Sequence, residues 1–123
     1  MGERQLICDI AVIGGGMAGT LAAISAARSG AKVVLIEKQQ CLGGIGTNGM
    51  VSELLGVGRN GVTFYGGITQ KIFDTLVSQG DAAYNFKVPM SSNPNILVDR
   101  LRCNPESMKI LLEKLVLKKL QNF

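Results

Sequence analysis

Between Leu6 and Glu37 the apolar residues fall in short runs, broken by glycines and a few polar residues, instead of alternating with polar ones. The stretch LICDIAVI, Leu6 to Ile13, is short, rich in isoleucine and valine, and stopped by glycines. That is the pattern of a parallel β-strand covered on both faces. MAGTLAAISAARS, Met17 to Ser29, is alanine-rich and favours helix, and Gly30 can take the left-handed conformation that closes one. AKVVLIE, Ala31 to Glu37, reads as a second buried strand. The predicted order is strand, glycine turn, helix, strand.

Beyond residue 50 the spacing changes. VSELLGVGRNGVTFYGG, residues 51–67, contains five glycines and no sustained period, which predicts loop with a short helix around Val51 to Leu55. ITQKIFDTLVSQG places Ile68, Ile72, Phe73, Leu76 and Val77 on one face of an amphipathic helix stopped by Gly80. These are expected as core contacts. DAAYNFKVPMSSNPNILVDRLRC, with Pro89 and Pro94 among polar residues, is loop or hairpin, with Tyr84 and Phe86 as packing residues. In NPESMKILLEKLV, Asn104 can cap a helix, Pro105 suits its first position and Glu106 favours its dipole. Met108, Leu111, Leu112 and Leu115 line one face. In a βαβ fold such a helix leads to a third parallel strand. The sequence reaches Phe123 before one.

From Ile10 to Ala27 there is no charge, a length that also suits a membrane-spanning helix. Gly15 and Gly19 make the G-x-x-x-G pair of membrane helices. Composition opposes that reading: Gly14, Gly15, Gly16 and Gly19 fall in the middle, each costing helix stability of about 1 kcal/mol relative to alanine.

Placed between a strand and a helix, Gly14, Gly16 and Gly19 form G-x-G-x-x-G. Gly14 permits the tight turn, Gly16 leaves room for a pyrophosphate to approach the backbone, and Gly19 lets the helix lie close on the sheet. Ala23 and Ala27 continue the small stripe at helical spacing. The unpaired N–H groups and positive end of the helix would meet the phosphates. Glu37 ends the second strand, about 20 residues on, where a carboxylate accepts hydrogen bonds from an adenosine ribose. A 2′-phosphate there would be repelled, so NADP is disfavoured. Lys38 either touches an adenosine phosphate or faces water.

Charge and composition remove other classes. With 13 Lys+Arg against 9 Asp+Glu the formal charge is +4, and apart from Lys118 and Lys119 the basic residues are scattered, so no nucleic-acid or lipid patch is expected. There is no histidine, hence no His-based relay or metal cluster. Cys8, Cys41 and Cys103 are odd in number and far apart, which argues against a disulfide framework or metal ligation and for a reducing compartment. Cys41, four residues after Glu37, is read as a small buried residue over a redox-active thiol. The amino terminus lacks the features of a secretory signal, so a cytoplasmic protein is expected.

The residues Gly14, Gly15, Gly16, Ala18, Gly19, Ala23, Ala27, Gly30, Val33 and Glu37 resemble the amino-terminal segment of FAD-dependent oxidoreductases, which reads as a strand, GGG-x-AG, an alanine-rich helix and V-x-L-I-E-K. The following CLGGIGTNGMV resembles the flavoprotein L-G-G-x-x-T loop that folds back over the pyrophosphate, through Gly43, Gly44 and Thr47. GGITQKIFDTL and NPESMKILLEKLV also look like segments of large members with an inserted region between the second and third strands.

That resemblance implies an α/β, Rossmann-like FAD-binding βαβ unit at residues 6–38, an insertion at 39–103 and a crossover helix at 104–123. The doubly wound domain would be incomplete, with a substrate domain absent from this chain. Gly14, Gly15, Gly16, Met17, Ala18, Gly19, Glu37, Lys38, Gly43, Gly44 and Thr47 would hold FAD. The flavin would accept a hydride or electrons from a small-molecule substrate. No catalytic residue and no metal ligand is nominated, and some relatives' iron–sulfur cluster finds no ligand set here. Because a stable sheet generally needs three or more strands, the expectation is an amino-terminal piece of a longer flavoenzyme that binds FAD weakly and turns nothing over alone. An NAD-binding domain, a free-standing dinucleotide-binding module and a membrane hairpin are the rival readings.

Overall fold

A computed structural model describes residues 2, 3 and 5–117. The elements are β1 (Ile10–Ile13), α1 (Met17–Arg28), β2 (Val33–Ile36), a single 3-10 turn at Gly44–Gly46, β3 (Glu53–Arg59), β4 (Val62–Thr63), α2 (Gly67–Ser78), β5 (Ala82–Met90), β6 (Asn93–Cys103) and α3 (Pro105–Leu117). They form a mixed α/β fold in which β1 and β2 pair in parallel across α1, from Ile10 opposite Val33 to Ile13 opposite Ile36. A separate antiparallel sheet has the order β4-β3-β6-β5. Lys118, Lys119 and the rest of the expected crossover helix to residue 123 lie outside the described residues.

A buried core packs α1 against the antiparallel sheet, α2 and α3, and the parallel pair is attached to it through α1. Ile24 of α1 shares this cluster with Ile72, Phe73 and Leu76 of α2, Val57 and Leu101 of the antiparallel sheet, and Met108, Leu112 and Leu115 of α3. Fully burying such a side chain contributes roughly 1.5–3 kcal/mol, so these helices and the antiparallel sheet anchor the short parallel pair. Helix α3 begins as its sequence dictates: the Glu106 N–H donates to the Asn104 side-chain carbonyl at 3.0 Å and the Met108 N–H to the Asn104 backbone carbonyl at 3.0 Å. Gly30 has φ +90° and closes α1.

Several expectations are corrected. Strand β1 spans only Ile10–Ile13, with Leu6 and Ile7 exposed beforehand. The parallel strands are not covered on both faces. Val12 faces α1, where a Cβ on Gly19 would lie 3.6 Å from its Cγ1; on the opposite face Ile13 is 75% and Ile36 51% exposed. Helix α1 covers one side of the pair, and no described element covers the other. Ala27 is likewise exposed, so the small stripe makes its close approach at Gly19 and its burial at Ala23. On α2, Val77 is 36% exposed while Ile72, Phe73 and Leu76 are buried.

The predicted loop and short helix at residues 51–67 are instead β3 and β4. Glu53, Leu54 and Leu55 pair with Arg102, Leu101 and Arg100 of β6, and the ladder shifts register between Leu55 and Gly58. Gly56, at φ +69°, sits in that irregularity. Asn60 and Gly61 have φ +54° and +78° between the paired Arg59 and Val62, a two-residue hairpin turn that needs left-handed conformations at both positions. Long-range pairing with β6 outweighs the local cost of the glycines.

For residues 81–103 the hairpin alternative holds. Asp99 on β6 is 2% exposed and accepts hydrogen bonds from the Gly61 N–H at 2.8 Å and the Lys87 N–H at 3.0 Å. It thereby ties the β3–β4 turn to the irregular middle of β5. Tyr84 hydrogen-bonds Tyr65 hydroxyl to hydroxyl, and Tyr65 meets Phe73 edge to face at 5.0 Å. Phe86 stacks on Tyr84 at 5.7 Å but leaves much of its ring exposed.

Candidate functional site

The carboxyl ends of β1 and β2 meet the amino end of α1 at the glycine turn. Gly14 has φ +98°, a conformation that side chains resist, and its N–H donates to the Ile36 carbonyl at 2.8 Å. Gly19 approaches the turn so closely that a Cβ would sit 1.8 Å from the Gly14 carbonyl oxygen. At Gly16, by contrast, an added Cβ would meet nothing within 4 Å. Gly16 is the residue preceding α1; no side chain caps that end, and the first turn carries no acidic residue. The positive end of the helix dipole is therefore left for a ligand to meet.

A second glycine segment is folded directly onto this turn. The Gly43 N–H donates to the Gly15 carbonyl at 2.8 Å, and Gly16 and Gly43 pair as an isolated parallel bridge. Gly43 and Gly44 have φ +99° and +56°. Crowding adds to the requirement for glycine, since a Cβ on Gly43 would lie 2.4 Å from Thr47 Cγ2 and 2.9 Å from Leu112 Cδ1, and one on Gly44 3.2 Å from the Gly16 Cα. Thr47 is fully buried and its hydroxyl donates to the Leu42 carbonyl at 2.5 Å, closing the loop on itself.

Glu37 stands between the two segments. Its Oε2 accepts from the Gly15 N–H at 2.5 Å and its Oε1 from the Gln39 N–H at 2.7 Å. The Gln39 amide foremost, then the Gly15 amide, hold its carboxyl below the usual glutamate value. Of the residues singled out from sequence, Gly14, Gly15, Gly16, Met17, Gly19, Glu37, Gly43, Gly44 and Thr47 converge here, with Met17 packed partly into the core. Ala18 and Lys38 are exposed at the margin. Sequence reasoning did not find Thr20, which is fully buried and donates its hydroxyl to the Gly15 carbonyl at 2.9 Å. A hydroxyl directly after the last glycine of the motif was the available signal.

Beside Glu37, a pocket of about 210 Å³ opens between residues 39–42 and α3, lined among others by Gln39, Cys41, Leu42, Lys109, Glu113 and Val116. Cys41 is half-buried there, where a small buried residue was expected. Cys103 is the buried thiol, and burial raises its pKa. Among the described residues no group of three or more His, Cys, Asp or Glu could hold a metal ion, and no helix is long and apolar enough to cross a membrane.

The donor set fits an adenosine diphosphate. It offers open space before Gly16, an uncapped helix start, a carboxylate at the end of β2, and a second backbone segment alongside. Comparison with known proteins points the same way. Two curated sequences from Shewanella frigidimarina, one of them from strain NCIMB 400 and each named fumarate reductase (cytochrome), are 61% identical over 36 residues. That alignment covers 29% of this chain and 6% of each relative, so the chain matches only a small part of those proteins. No solved structure matches. The family model described as FAD dependent oxidoreductase matches residues 9–122. The chain therefore belongs to the FAD-dependent oxidoreductases, and its cofactor is FAD.

Proposed function

We propose that this chain is the nucleotide-gripping part of a larger flavoenzyme, and that it holds the adenosine diphosphate half of FAD. The backbone at Gly16, Met17, Ala18 and Gly19 meets the diphosphate, and the missing side chain at Gly16 lets it approach. Glu37 receives the ribose hydroxyls, and its charge disfavours a 2′-phosphate. Gly43 and Gly44 form the second wall, and Thr47 keeps that wall folded. Lys38, at the margin, adds a cation near the phosphates. When bound, the flavin supplies the chemistry by accepting a hydride or an electron pair from a substrate. The chain's own residues bind and orient; a small-molecule substrate is held by protein outside them. The half-open parallel pair supports a role inside a larger domain, and the free thiols Cys8, Cys41 and Cys103 support a reducing compartment, the cytoplasm.

The observation that carries this reading is the seating of Gly43 and Gly44 on the glycine turn. A nicotinamide-binding unit needs the turn and the acidic residue but not this second loop. Titration of the 123-residue chain tests it. FAD should bind saturably, ADP should compete with it, and FMN, which lacks the adenosine half, should not bind. Tighter binding of NAD than of FAD, or equal binding of FMN, would contradict the proposal.

A further inference from the structure

Glu37 has work to do before any nucleotide arrives. Each of its carboxylate oxygens is engaged by a backbone amide, and those amides belong to segments 24 positions apart in the chain, Gly15 in the glycine turn and Gln39 in the loop that leads to Gly43. Gly15 is buried, a Cβ there would lie 2.6 Å from Leu42 Cδ2 and 3.0 Å from Glu37 Cβ, and its carbonyl takes both the Thr20 hydroxyl and the Gly43 N–H. The peptide units around Gly15 are thus held from both sides. Among the described residues the Gly15 amide has no other acceptor: it faces the carboxylate and not the open space in front of Gly16.

We infer that Glu37 is a positioning residue as well as a ribose acceptor, a carboxylate staple that fixes the glycine turn against the second glycine loop in the nucleotide-free protein. The purpose of the staple rests on the FAD reading above; its existence does not. Two flexible segments whose glycines lack side-chain restraint would otherwise lose conformational entropy on binding, and ordering them in advance removes that cost from the binding step. The Gly15 amide serves here to shape the cradle, leaving the phosphates to the backbone from Gly16 onward.

The test is amide hydrogen exchange of the nucleotide-free chain, wild type against Glu37→Gln and Glu37→Asp. Aspartate can still accept from an amide two residues on, but its side chain is one methylene too short to span to Gly15. The expected result is a rise of about tenfold or more in Gly15 exchange in Glu37→Asp, with the Gln39 amide still protected there, and a smaller rise in Glu37→Gln, which keeps one acceptor oxygen. Unchanged Gly15 exchange in both variants, with loss of FAD affinity alone, would overturn the staple. If the variants do not fold, the wild-type Gly15 amide resonance gives the answer: it should shift as Glu37 titrates, and a resonance blind to that titration would overturn the proposal. Accelerated Gly15 exchange in a chain that binds no FAD would support the staple while refuting the cofactor assignment to this corner.

Discussion

Gly19 lies so close to Gly14 that a Cβ at position 19 would stand 1.8 Å from the Gly14 carbonyl oxygen. That contact sets the distance between α1 and the end of β1, and so the mouth of the cradle. A methyl group cannot be accommodated without moving backbone. Gly19→Ala should destabilise the chain by about 3 kcal/mol, as overpacking of rigid backbone does, and a urea melt checks it.

Gly16 offers the opposite case. Its φ of −62° is ordinary for any residue, and a Cβ would meet nothing within 4 Å. Gly16→Ala should leave the melting temperature of the nucleotide-free chain within about 2 °C, while Gly16→Val, which fills the space, should weaken FAD binding by about tenfold or more. Calorimetry on the two variants separates the fold from the site.

Asp99 is buried and serves two backbone amides from different hairpins. Asp99→Ala strands both donors and should cost about 2–4 kcal/mol, seen as a lower urea midpoint. Asp99→Asn, which keeps one acceptor, should fall between the two.

Glu37 gives a pH dependence with a definite sign. Its folded-state pKa is lowered from the ordinary 4.5, chiefly by the Gln39 amide and then by that of Gly15. A carboxyl of this kind contributes stability that is complete above the ordinary value and is lost as pH falls through the folded one. The wild-type chain should therefore lose stability below about pH 4.5 in part through this group, and Glu37→Gln should show a shallower decline. Parallel acid titrations monitored by circular dichroism would show it; identical slopes would remove Glu37 from the account.

What could be read from the sequence follows from range. The glycine turn, α1, α2 and the Asn104–Pro105 start of α3 are local devices, and each formed where its residues specified. The antiparallel sheet depends on pairing across some 50 positions, as between Glu53 and Arg102, and five glycines masked it. One local sign was present, since Asn60–Gly61 between apolar runs is a hairpin signal in its own right. At the glycine turn, most of the residues that come together were legible but the hydrogen bonds between them were not. Only the fold shows that the Thr47 hydroxyl is spent within its own loop and that the Glu37 carboxylate faces the Gly15 amide.

The most direct measurement is a crystal structure of the chain grown or soaked with FAD. The diphosphate should lie at the start of α1, between Gly16 and the Gly43–Gly44 segment, with a ribose hydroxyl within hydrogen-bonding distance of Glu37. A diphosphate bound elsewhere, or a ribose turned away from Glu37, would contradict the account.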